Sequence, residues 1–111
     1  MLPRQSRLTR EQDFARVYRK GRRLSSAYLS VFVLPTKAEF SRFGFVVGKK
    51  QAAKIVDRNR VKRVLRAASR AYAKAIPSVE IIIQAKSGIA RQKPHRIREE
   101  FRFLMEKLKN Q

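Results

Sequence analysis

Asp57-Arg58-Asn59-Arg60-Val61-Lys62-Arg63-Val64-Leu65-Arg66-Ala67-Ala68-Ser69-Arg70-Ala71-Tyr72-Ala73-Lys74 is the stretch on which the fold of this chain turns. At about 100° per residue, Val61, Val64, Leu65, Ala68 and Tyr72 fall in one apolar stripe. Asn59, Lys62, Arg63, Arg66, Arg70 and Lys74 fall opposite it, with Arg58 and Arg60 at the two margins. The pattern predicts a helix that lays a core stripe on something apolar and turns a cationic face outward. Asp57 suits the N-cap, where a carboxylate accepts from the free N–H groups of the first turn. Continuing the wheel backwards would put Ile55 and Val56 on the cationic face, so the helix is expected to begin near Asp57.

The flanking segments supply what that stripe can pack on. Tyr28 to Leu34, rich in β-branched and aromatic residues and closed by Pro35, reads as a strand, and Phe43 to Gly48 reads as a second. Pro35 to Ser41 would join them as a hairpin, and a short extra strand is expected near Arg22 to Ser25. Val79 to Ala85 is apolar enough to be central in a sheet. Upstream, Phe14, Val17 and Tyr18 recur at helical spacing over 10–20, with Thr9 and Gln12 spaced as a capping box and Gly21 as a stop. Downstream, Ile97, Phe101, Leu104 and Leu108 mark a last amphipathic helix from about Pro94. The predicted class is α+β, helices packed on a small central sheet in a two-layer sandwich.

With 111 residues the chain is expected to form one domain, 1–111, with a loose start over 1–8. Its 28 basic and 8 acidic residues give a net charge of +20. Residues 49–74 alone carry ten basic side chains and one acidic, whereas 24–48 and 75–90 are nearly neutral. Such an excess on so small a body calls for a polyanionic partner. The first residues carry no apolar stretch behind their charges and no run is long enough to span a bilayer, so a cytoplasmic protein is expected.

Catalytic chemistry of its own is not expected. There is no cysteine, and the one histidine, His95, stands in a basic stretch at a helix start. Glu99 and Glu100 are adjacent on a helix, and read as charge balance rather than as an acid/base pair. No phosphate-binding glycine loop is present. The cationic helix, rich in arginine forks and nearly free of acid, points instead to phosphate contact. Charge alone leaves open a ribosomal or ribosome-associated RNA-binding protein, and less well an architectural DNA-binding protein.

Lys49-Lys50 followed by Asp57 to Arg66 resembles the RNR motif of the bacterial ribonuclease P protein subunit. Arg7-Leu8, Asp13 to Tyr18, Lys20 and Gly21 resemble that family's first helix. Arg42 to Lys50 and Ile81 to Lys86 resemble its strands, and the likeness covers nearly the whole chain. Between the double lysine and RNR, Gln51 to Asp57 lacks the Gly-Asn pair found in many members. The resemblance implies an αβββαβα fold like the second domain of ribosomal protein S5, with a left-handed crossover around the RNR helix. It implies the accessory subunit of an RNA-based endonuclease that removes the 5′ leader from precursor tRNA. The RNA, with bound Mg²⁺, performs the hydrolysis, so the chain itself needs no catalytic residue and no cofactor. The implied partners are ribonuclease P RNA and the precursor tRNA leader. The implied ribozyme-facing residues are Arg58, Asn59, Arg60, Lys62, Arg63, Arg66 and Arg70. Those implied for the leader are Phe14, Tyr18, Lys49, Lys50, Lys54 and Lys86.

Overall fold

The computed structural model describes residues 7–37, 39, 41–73, 75–76 and 78–110. Helix α1 spans Glu11–Lys20; strands β1 Arg22–Ser25, β2 Leu29–Pro35 and β3 Arg42–Val46 follow; then come α2 Ile55–Arg70, β4 Val79–Ala85 and α3 Pro94–Lys109. This is the αβββαβα order, with the short β1 in place. Among the described residues no helix is long and apolar enough to cross a membrane.

The four strands run in the order β1-β2-β4-β3. β4 pairs antiparallel with β2, Val31 opposite Ile83, and parallel with β3, Phe43 opposite Ile81. The hairpin expected between β2 and β3 is therefore not formed: β4, separated from both in sequence, lies between them. Its central place follows from composition, since Ile81, Ile82 and Ile83 each have a covered face to fill.

Alternation along β4 divides the interior in two. Ile81, Ile83 and Ala85 join Val31, Val33 and Phe43 beneath Val61 and Leu65 of α2 and Ile97, Phe101, Leu104 and Met105 of α3. Ile82 faces the other way, under Leu8 and Val17, with Phe14, Phe32, Leu34 and Val46 around it. Helices α2 and α3 thus cover one face of the sheet, and α1 lies across the other. Truncating a filled aromatic such as Phe101 would cost about 3–5 kcal/mol.

Several local expectations are corrected. The N-cap of α1 is Arg10, which makes no side-chain capping bond, so Thr9 and Gln12 do not form a capping box. Gly21 does end α1, but in an extended conformation (φ −76°). A Cβ there would lie 2.4 Å from the Val17 carbonyl oxygen, so close approach is what requires glycine. Helix α2 begins two residues before Asp57, at Ile55, and ends at Arg70; Lys74 lies outside the described residues. The loose start expected over 1–8 falls largely outside them too. Leu8, by contrast, is buried and donates its N–H to the Phe43 carbonyl at 2.8 Å. Glu100 is not a surface counter-charge: it is buried and accepts from the Ser26 hydroxyl and, at 2.9 Å, from the Tyr28 N–H, which ties α3 to the β1–β2 turn. His95 and Glu99 are exposed.

Candidate nucleic-acid interface

Helix α2 is anchored by Val61, Leu65 and Ser69 and turns its cationic side away from the sheet. Within that side the cations divide into two kinds. The Arg58 guanidinium donates to the carbonyls of Ala52 (3.0 Å) and Ala53 (2.9 Å), fastening the loop that enters the helix. Arg60 reaches the carbonyls of Ala90 (2.7 Å) and Gln92 (3.2 Å), bracing the 3₁₀ turn Ile89–Arg91, and has Asp57 at 3.8 Å. Both marginal arginines are clamps first, although a guanidinium has five donors and keeps some for a ligand. The side chains of Asn59, Lys62, Arg63, Arg66 and Arg70 make no hydrogen bond or ion pair with the described residues. Val56, Asn59, Arg63 and Arg66 line a shallow notch on this face.

On the opposite face of the sheet, α1 crosses the strands on Val17, and the two flanks of the helix differ. One flank is ionic. Buried Glu80 accepts from both Arg16 and Arg42, while Asp13 stands 3.1 Å from Arg16 and 3.6 Å from Arg42. The hydrogen bond and charge of Glu80 raise the Arg16 pKa further above its ordinary value. The other flank is aromatic. The Phe14 ring lies against Gly44, where a Cβ would come within 2.5 Å of it. The Tyr18 hydroxyl donates to Gln84 Oε1 at 3.0 Å, and its ring meets Phe32 edge-on with centroids 4.8 Å apart. Burial raises the Tyr18 phenol above its usual pKa, yet the residue keeps 38% of its surface exposed. Arg23 stands over Phe32 at 5.7 Å and donates to the Ser30 hydroxyl at 3.3 Å. An aromatic floor with a cation above it suits an unpaired base and its phosphate.

The lysines expected at this cleft are dispersed. Lys49 and Lys50 are exposed in the turn after β3, where the N–H of Ala52 closes on the Gly48 carbonyl at 3.0 Å. Lys54 is the N-cap residue of α2. Lys86 donates its ammonium to the Ser26 carbonyl at 2.9 Å, so it is tied to the β1–β2 turn. Phe32, Arg23, Ser30 and Gln84 were missed from sequence. The signal available for two of them was strand alternation, which sets Ser30 and Phe32 opposite Val31 and Val33.

The profile of the Ribonuclease P family matches residues 2–109. The chain belongs to the bacterial ribonuclease P protein family. Among its relatives is the ribonuclease P protein component of a Pseudanabaena species, 42% identical over 90 residues that make up 80% of this chain and 70% of that one. The fold matches the Thermotoga maritima RNase P protein, determined in complex with 1-(4-fluorophenyl)-2-thiourea. There the TM-score is 0.81 and the identity 26%, over 89% of this chain and 96% of that one. It also matches the Staphylococcus aureus RNase P protein, at a TM-score of 0.86 and 24% identity, over 91% of this chain and 93% of that one. Membership makes the chain the protein component of a ribonucleoprotein that acts in tRNA 5′ processing, with ribonuclease P RNA as its partner.

Proposed function

We propose that the protein docks on the ribozyme RNA through the outward face of α2 and receives the single-stranded 5′ leader of precursor tRNA in the cleft between α1 and the sheet. The observation that carries this reading is the placement of α1 and α2 on opposite faces of one four-stranded sheet. A cationic helix face and an aromatic cleft are thereby available at the same time, one for phosphates and one for unpaired bases. Asn59, Lys62, Arg63, Arg66 and Arg70 contact the RNA backbone, while Arg58 and Arg60 hold α2 in place and lend spare donors. Phe14, Tyr18 and Phe32 form the leader surface, with Arg23 beside it and Lys49 and Lys50 at the sheet end nearest α2. Lys54 and Lys86 are peripheral to both surfaces in this reading.

Hydrolysis belongs to the RNA, with its Mg²⁺. Asp13 and Glu80 are engaged by Arg16 and Arg42 and serve the fold in this reading. The protein contributes by binding: a leader held in the cleft raises the affinity of the assembly for precursor over mature tRNA. In this reading the site of action is the cytoplasm, where tRNA is processed.

The test is precursor-tRNA cleavage by a bacterial ribonuclease P RNA at near-physiological salt and low Mg²⁺, with and without the protein. Cleavage at the mature 5′ end that depends on the protein is the expected result. Binding to the RNA without rescue of cleavage, across RNAs of several bacterial types, would overturn the reading.

A further inference from the structure

The start of α2 breaks the rule that large aliphatic side chains avoid a cationic surface. Ile55 keeps 62% of its surface exposed and Val56 keeps 68%, the two highest values among the exposed large apolar residues described. They occupy the first two positions of the helix, and the helical wheel sets them on its outward half, on either side of Asn59. Val56 lines the same notch as Asn59, Arg63 and Arg66. Nothing in the fold requires this. Isoleucine and valine are mediocre helix formers at an exposed position, and a glutamine or lysine there would favour the helix more.

We infer that Ile55 and Val56 form an apolar step against which one unpaired nucleotide of the partner RNA lays its base, with its flanking phosphates on Arg63 and Arg66 and its base edge within reach of the Asn59 amide. This rests on the α2 docking surface proposed above and adds to it a contact that is not electrostatic. The occupant follows from charge. The outward face of α2 carries no acid: the one acid of the helix, Asp57, falls on the apolar side of the wheel and faces Arg60 at 3.8 Å, so the surface around the step attracts an anion and repels a cationic partner. Within an anionic RNA, apolar area large enough to cover two aliphatic side chains is the face of an unstacked base. In a duplex the bases are covered by their neighbours, and phosphates and hydroxyls form the surface. A notch with amide, guanidinium and aliphatic walls therefore suits a bulged or loop nucleotide.

The experiment compares the wild-type protein with I55Q/V56Q and with R63Q for binding to ribonuclease P RNA across a salt series. Glutamine preserves bulk and helix propensity, and both side chains are exposed, so urea unfolding of I55Q/V56Q should match wild type. The double substitution is expected to weaken binding by about tenfold at every salt concentration, leaving the salt slope unchanged, because apolar burial releases no counterions. R63Q instead lowers the slope. Probing the RNA 2′-hydroxyls should show one unpaired nucleotide that the wild-type protein protects and I55Q/V56Q does not. Wild-type affinity in I55Q/V56Q, or a lost protection that maps to paired nucleotides, overturns the inference while R63Q still reports on the docking surface. If R63Q also binds as wild type, the docking surface itself is wrong.

Discussion

Replacing Gly44 by alanine tests the aromatic cleft most sharply, because one methyl group strikes one ring. The new Cβ would lie 2.5 and 2.7 Å from two Phe14 ring carbons, whereas ordinary contact begins near 3.4 Å. The ring must retreat by about 0.9 Å, and Phe14 is held between Leu8, Val17 and the sheet, so that retreat disturbs packing or tilts α1. Overpacking of this kind costs about 1–3 kcal/mol, measurable by urea unfolding. Shortening the ring should relieve it. In the G44A/F14L protein the loss should be smaller than the sum of the single losses by about 1 kcal/mol or more. The same tilt moves Tyr18 and Phe32 apart, so G44A should reduce the preference for leader-bearing precursor over mature tRNA, with affinity for ribozyme RNA kept, since α2 lies on the far face. Additivity of the two substitutions within about 0.5 kcal/mol would refute the packing argument. Full coupling with an unchanged leader preference would instead show that Phe14 serves the core alone.

Three further outcomes are expected. R63Q and R66Q should each flatten the salt dependence of RNA binding by about 0.7–0.9 in log–log slope, and an unchanged slope would mean that neither meets a phosphate. R60Q removes donors to the Ala90 and Gln92 carbonyls, so it should destabilise the fold by about 1–2 kcal/mol in urea; wild-type stability would show that the clamp is not formed in solution. Tyr18, its neutral phenol favoured by burial, stabilises the fold below pH 10 in a way that is lost as pH rises through the raised pKa. Ultraviolet titration of Y18F should show a smaller late phenolate component than the wild type, the remainder coming from Tyr72, whose phenol burial and Glu106 also raise, and identical curves would contradict the burial.

The periodicities of α2, β4 and α3 were legible because each has a face that must be buried, and the burial dictates residue type. Strand order was not, since neither β2 nor β3 carries any mark of the partner it will take; only the apolar density of β4 hinted at its central place. The start of α2 was misplaced for an instructive reason. Large aliphatic side chains ordinarily avoid a charged face, yet Ile55 and Val56 stand exposed at the head of this one. In the basic face itself, composition identified the cations but could not separate Arg58 and Arg60, which turn back to carbonyls of the chain, from Arg63 and Arg66, which do not. That distinction depends on loops 52–53 and 90–92, which come near the helix only once the fold is complete. In the sequence Phe32 is one more apolar residue of a strand, because its neighbours Tyr18 and Arg23 come from α1 and β1 and meet it only in the fold.

The insertion of β4 between β2 and β3 also governs how the chain acquires its shape during synthesis. A nascent chain extending only to residue 78 already contains the whole cationic helix and both outer partners of β4, yet β3 has no neighbouring strand until β4 emerges. Most pairing in the sheet is between strands far apart in sequence, a topology that folds slowly and leaves strand edges open in the interval. The ribosome therefore presents a highly charged segment with only the β1–β2 hairpin able to pair, and the last third of the chain joins that hairpin to β3 from the middle of the sheet.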